Sequence, residues 1–203
     1  MDKVDFKKAL KHLYQPSEND FSLVDVPVMQ FIRIDGSGSP ESESFEEAIG
    51  WLYATSYPIK FSSKTDLDRD YVVPPLEALW WADDMSAFTT NDRDAWFWTA
   101  MIMQPDWITA KMFNKVVKQA SSKLGSPPDT LRFELFAEGL SVQILHVGPY
   151  ADEAPTVARL HNEYLPDNGL VENGHHHEIY LSDPLRSSPE KLKTVIRQPV
   201  AHA

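Results

Sequence analysis

The string His175-His176-His177-Glu178-Ile179-Tyr180 gathers groups that move protons, neutralise cations and ligate metals. In an extended strand, side chains alternate with a period of two, so His176, Glu178 and Tyr180 share one face and His175, His177 and Ile179 the other. A carboxylate turned inward among rings is desolvated, which raises its pKa and suits it either to general-base work or to meeting a cation. Tyr180 is placed to donate a hydrogen bond to that carboxylate or to a ligand oxygen, and His176 is a candidate ligand contact on the same face. The plainer alternative leaves Glu178 solvated on an open sheet. A metal reading fares worse. Neighbouring strand residues diverge, so at most His175 with His177, or His176 with Glu178, share one ion, and no second cluster completes the set. The chain has no cysteine. No metal or other cofactor is expected.

A second string, Pro74-Pro75-Leu76-Glu77-Ala78-Leu79-Trp80-Trp81, repeats the theme of one acid among aromatic residues. Strand parity puts Glu77, Leu79 and Trp81 on one face, and Trp96 and Trp98 on a common face of the next strand. Two carboxylates facing one groove serve either as an acid/base pair or as a single anionic patch. Trp81, Trp96 and Trp98 are candidate walls for planar or cationic ligands, through stacking and cation–π attraction. Their alternative role is core packing, yet four tryptophans between Trp80 and Trp98 exceed what a core demands. No Gly-x-Ser-x-Gly elbow, phosphate loop or dinucleotide fingerprint is present.

The elements that must position these residues follow from periodicity. Phe6, Leu10, Leu13 and Tyr14 recur at helical spacing before Pro16, predicting a short amphipathic arm over residues 1–20. Residues 21–34 read as strand, broken by Pro27, before the turn Gly36-Ser37-Gly38-Ser39-Pro40. Ser44 and Glu47 have capping-box spacing for a helix carrying Phe45, Ala48, Ile49, Leu52 and Tyr53. A polar loop follows over 62–70, then extended stretches at 71–81 and 95–104 and a helix marked by Phe113, Val116, Val117 and Ala120. After Gly125-Ser126-Pro127-Pro128 the order restarts: strands at 131–137 and 140–147, a helix carrying Val157, Leu160, His161, Tyr164 and Leu165, and a strand at 175–181. Ile102-Met103-Gln104-Pro105 is echoed by Ile196-Arg197-Gln198-Pro199. The expected fold is therefore α+β: a single domain of two pseudo-symmetric strand-helix-strand-strand modules, residues 21–125 and 126–203, whose antiparallel sheets form a central ligand groove.

Composition bounds the partners. A chain of 203 residues with 42% hydrophobic and 24% charged residues builds a core without staples. The formal net charge of −11 argues against a nucleic-acid partner, because phosphate binding needs clustered Lys and Arg. Apolar runs such as 95–103 are too short to span a bilayer, so no membrane partner is expected, and the charged opening of the chain does not read as a leader. A cytoplasmic address follows, with a small molecule as the expected partner. Nothing in the sequence assigns an oligomeric state.

The strings His146-Val147-Gly148-Pro149-Tyr150, Pro155-Thr156-Val157-Ala158-Arg159-Leu160-His161, His176 through Pro184 and Lys191 through Pro199 resemble the GyrI-like small-molecule-binding family. Pro75 through Trp81 and Met101 through Pro105 look like its stand-alone branch. The resemblance implies two strand-helix-strand-strand modules around a pseudo-twofold groove, and multidrug binding in which a buried glutamate of the second module, here Glu178, meets cationic aromatic compounds. It also implies, from members that protect against xenobiotics, hydrolysis of the strained cyclopropane of cyclopropanoid DNA-alkylating compounds. Glu178 would then be the general base and Tyr180 its orienting or acid partner, with Trp81, Trp96 and Trp98 as walls; Glu77, Tyr150 and His176 complete the expected ligand contacts of this sequence. A non-catalytic drug-sequestering or effector-sensing module is the alternative.

Overall fold

The computed structural model describes residues 2–84 and 92–203. In chain order its strands are β1 (Lys3–Val4), β2 (Ser22–Val26), β3 (Met29–Ser37), β4 (Asp70–Tyr71), β5 (Leu76–Ala82), β6 (Trp96–Gln104), β7 (Arg132–Phe136), β8 (Gly139–Val147), β9 (Leu170–Glu172), β10 (His176–Tyr180) and β11 (Lys193–His202). The helices are α1 (Phe6–Ala9), α2 (Lys11–Tyr14), α3 (Glu43–Asp66), α4 (Ala110–Leu124), α5 (Ala154–Arg159) and α6 (Leu165–Asp167). Among the described residues, no helix is long and apolar enough to cross a membrane.

The chain forms two compact units, and the fold is α+β, with antiparallel pairing throughout the main strands as the repeat predicts and a parallel pair between the two-residue strands β1 and β4. The first unit comprises Met1–Ala9 and Met29–Phe136. Its sheet runs β5-β6-β3-β7, every pair antiparallel. The helix α3 starts where Ser42 accepts a hydrogen bond from the Phe45 amide at 3.3 Å, two residues before the predicted cap, and Glu43 and Glu46 favour its positive end. It then runs 24 residues, through Pro58 and through the segment 62–66 predicted as loop. Its apolar face carries Phe45, Ala48, Trp51, Leu52 and Ile59 into the core. That burial outweighs the missing donor at Pro58.

The second unit comprises Leu10–Val28 and Ala137–Ala203, with sheet order β2-β8-β11-β10 and the short β9 on the far end of β11. Val142, Leu160, Leu165, Leu170 and Val200 form its apolar cluster. The helix expected here is broken: α5 passes into a π turn at Leu160–Tyr164 and then the single turn α6, which carries Pro166. The predicted arm is likewise two single turns, α1 and α2, assigned to different units.

The compact units differ from the modules drawn at residues 21–125 and 126–203. Val24 pairs with Ser141 on β8, so β2 belongs with the second unit, and Phe31 pairs with Glu134, so β7 belongs with the first. Each core of three strands takes its fourth strand from the other half of the sequence. Sequence neighbours usually pair as hairpins, and the pattern of β2 and β3 gives no sign that they do not. Pro27, between them, has no donor for a ladder and marks the point of divergence.

Candidate functional site

Glu178 sits mid-strand on β10, opposite Ile196 of β11, and Tyr180 sits two residues on, opposite Thr194. The period of two delivers both to the face covered by the apolar cluster, since Gln198 further along the same face of β11 opposes Val142. The Tyr180 hydroxyl donates to Glu178 Oε2 at 2.7 Å, and His176 Nε2 stands 3.4 Å from Oε1. The Glu178 side chain is 18% exposed, so the solvated alternative does not hold. Tyr150, in the 3₁₀ turn Tyr150–Asp152, meets Tyr180 edge to face with ring centroids 5.7 Å apart. The structure therefore brings together Glu178, Tyr180, His176 and Tyr150.

It adds a residue that sequence reasoning missed. Glu153 closes the 3₁₀ turn and leads into α5, where it is 5% exposed beside Glu178 and Thr194. One of its carboxyl oxygens is fully buried and finds no hydrogen-bond partner of good geometry among the described protein atoms, and the Thr194 hydroxyl stands beside the carboxyl group. Burial, and next the charge of Glu178, push the Glu153 carboxyl up to about 9. Glu178 moves the other way: burial pulls it up, but the hydrogen bond and charge of His176, the Tyr180 hydroxyl and the charge of His177 outweigh it and hold it below the usual carboxylate range. Two carboxyl groups in contact cannot both ionise cheaply, and here the partners decide which one does. The opposite directions of the two shifts favour a pair that holds one proton. The sequence signal for Glu153 is faint, since an acid just ahead of a first-turn proline reads as ordinary helix-start chemistry.

The reverse face of β10 is a separate ionic network. Glu138 accepts from Arg197 Nη1 at 3.0 Å and lies 2.7 Å from His177 Nδ1; burial raises its carboxyl, but those two charges outweigh it and bring it down to about 2. Arg197 also donates to Gln143 at 3.1 Å and to the Leu13 carbonyl at 2.7 Å, and Gln143 donates to the His12 carbonyl at 2.6 Å. These bonds fasten α2 to the sheet. His177 is thus structural.

The first-unit candidates divide between two faces. Trp81 stacks on Phe97 at 5.9 Å, opposite it across β5 and β6. Trp98 opposes Trp80 instead, and both rings pack on Phe45 of α3 at 4.9 and 5.2 Å, with Trp96 edge-on to Trp80. Trp96 and Trp98 therefore lie on the helix side, away from Glu77 and Trp81. A Cβ at Gly36 would stand 2.2 Å from the Trp98 ring, which is why glycine occupies that position. Glu77 is fully buried, but the register denies its equivalence to Glu178. With the Ile-x-Gln-Pro echo aligned, Ile196 opposes Glu178 and Ile102 opposes Leu76, so Glu77 is one residue out and on the opposite face. A cavity of about 220 Å³ in this unit is bordered by Lys3, Tyr57, Lys60, Phe61, Tyr71, Val72 and Val73 and includes none of the candidates. Among the described residues, no group of three or more His, Asp or Glu side chains is placed to hold a metal ion.

Comparison with known proteins agrees with this architecture. Three crystal structures from Listeria innocua each cover 98% of this chain and 100% of their own. One, of an uncharacterised conserved protein, is 41% identical with a TM-score of 0.89, and two structures described as those of a hydrolase are 39% identical with TM-scores of 0.87 and 0.84. The C-terminal domain of EcmrR, 12% identical over 91% of this chain and 98% of its own with a TM-score of 0.58, shares the fold. No curated protein was found to match. The model of the GyrI-like small-molecule-binding domain matches residues 19–201, nearly the whole chain, and the protein belongs to that family.

Proposed function

We propose that this protein binds planar aromatic or cationic small molecules at the Glu178 cluster and hydrolyses strained electrophiles, cyclopropanoid DNA-alkylating compounds above all, as cytoplasmic protection against xenobiotics. The observation that carries the reading is a sheltered carboxylate, Glu178, kept ionised by His176 and Tyr180 beside a carboxyl group that stays protonated. Sites that push two acids apart in this way supply a base and an acid at one pH. The identity to two structures described as those of a hydrolase supports the same reading.

In the proposed step, Glu178 takes a proton from water as the water oxygen bonds to a cyclopropane carbon. The ring C–C bond breaks, and its electron pair passes into the conjugated system of the substrate, which is then protonated. Tyr180 orients the carboxylate or returns the proton. Tyr150 flanks Tyr180 and offers a ring for the substrate to lie against. Incubation with a cyclopropane-bearing alkylator, followed by mass analysis, tests the proposal: the water adduct is expected, and Glu178→Gln should slow its formation 10²–10⁴-fold, the usual worth of a positioned general base. An unslowed variant removes Glu178 from the chemistry. Binding with the ligand recovered unchanged would favour the second reading, a drug-sequestering or effector-sensing module, which the same buried negative charge supports.

A further inference from the structure

Glu153, at the start of α5, lies beside Glu178 of β10 and Thr194 of β11, and the charge around the two acids is one-sided. Among the described residues, no lysine or arginine forms an ion pair with either carboxyl group. The ionisable side chains that face the pair are His176 and Tyr180 on β10, Tyr150 in the 3₁₀ turn and His146, which opposes Thr194 from β8. His177, on the reverse face, acts on Glu178 through its charge, and Asp183, beyond β10, acts on Tyr150. His176 and Tyr180 serve Glu178, and on the Glu153 side the neutral Thr194 hydroxyl is the neighbour, so among the described residues no cationic donor reaches Glu153. Glu153 has a carboxyl oxygen without a partner, in a place 95% removed from solvent.

We propose that the buried pair carries one proton in the free protein and that a cationic ligand replaces it: the Glu153 O–H bond breaks, the proton leaves to the buffer, and the second carboxylate faces the ligand's positive charge. The cluster then holds the same net charge before and after binding, one proton having been exchanged for one cation. Burying an isolated charge is costly, and the exchange avoids both an uncompensated dianion in the free protein and an uncompensated cation in the complex. Neutral planar ligands gain nothing from the exchange and leave the proton in place. The inference rests on the small-molecule binding proposed above, but not on hydrolysis.

Titration calorimetry with N-methylphenanthridinium and with phenanthridine tests it, because the two share a ring system, carry no strained ring and differ in permanent charge. Run in phosphate and in Tris at pH 7, the cation should release about one proton per molecule bound and phenanthridine none, and affinity for the cation should rise roughly tenfold from pH 7 to pH 8. Glu153→Gln should bind the cation without releasing a proton and without that pH dependence. A measurement on the unaltered protein stands beside the variant: the infrared carbonyl band of a protonated carboxylic acid should disappear when the cation binds. Zero release, equal release with both ligands, release unchanged by Glu153→Gln, or a persistent carbonyl band overturns the exchange. Binding of phenanthridine without binding of the cation also overturns it, while failure of both overturns the binding reading itself. Release without turnover of any alkylator would sustain the exchange and sink the hydrolytic proposal.

Discussion

Equivalent rows of the two sheets carry opposite chemistry. In the first unit, Leu76–Ile102–Ile32 and Ala78–Ala100–Ile34 run across three strands beneath α3. In the second, the matching rows are Glu178–Ile196–Ile144 and Tyr180–Thr194–His146. The helices differ in step with the rows. The long α3 lays Phe45, Trp51 and Leu52 against its sheet, whereas the second unit has a six-residue α5, a π turn and a short α6. One unit uses the shared layout to exclude water. The other gives up that apolar burial, worth about 25 cal/mol per Å², to hold two carboxyl groups, two tyrosines and two histidines at one end of its sheet. The repeated layout supplies the frame, and the residues at these two rows decide whether a unit is scaffold or site.

The sharpest way to break this comparison is to give the second unit the residue of the first. Glu178→Leu, which copies Leu76, should abolish detectable hydrolysis and cation binding while leaving the melting temperature unchanged or higher, because a buried carboxylate is replaced by a well-packed side chain. A fall of several degrees in a thermal scan would mean that the acid cluster is structural. The reverse emphasis holds for the first unit, where Trp98→Ala should cost about 3–5 kcal/mol in chemical denaturation through the cavity left beneath Phe45. Ligand binding by the folded fraction should survive, and its loss would show that the aromatic rows belong to the site.

Two predictions sharpen the contrast between the faces of β10. Glu138 is depressed to about 2, below its unfolded range, so its contribution to stability is complete above about pH 5 and disappears as pH falls toward 2, a loss of roughly 3 kcal/mol. Arg197→Met should remove a similar amount at neutral pH and loosen residues 10–15, seen as faster amide exchange there. Glu153 runs the opposite way. Its folded pKa is raised, so the native state holds the extra proton and stability falls as pH climbs from about 4.5 through about 9. Glu153→Gln should flatten that slope and leave the protein about 1–3 kcal/mol more stable than the unaltered chain at pH 8.5, by urea denaturation. An unchanged slope would mean that Glu153 is ionised throughout.

The site was half legible in the sequence. Period-two alternation puts His176, Glu178 and Tyr180 on one face because a strand leaves no other arrangement, and Pro155 announces the helix that Glu153 leads into. Glu153 was not legible, since its distance from Glu178 depends on how the turn after Gly148 folds back over β11. Glu77 and Glu178 look equivalent when their two strings are aligned on the acids, but the ladder sets them one residue apart, a small offset with a large effect. Trp96 and Trp98 were assigned a common face correctly, but which face could only come from their partners across the sheet.

Local rules therefore determined the element types, the repeated order and the alternation along each strand, because backbone sterics and side-chain periodicity act within a few residues. The family match covers residues 19–201, the same stretch that carries those local strings. Only the tertiary structure decided that β2 and β7 trade places, that the acid of the first string faces away from the helix layer, and that Glu153 shares its surroundings with Glu178. Those outcomes depend on contacts between residues far apart in the chain, where register and the packing of apolar faces choose among arrangements that the local pattern permits equally.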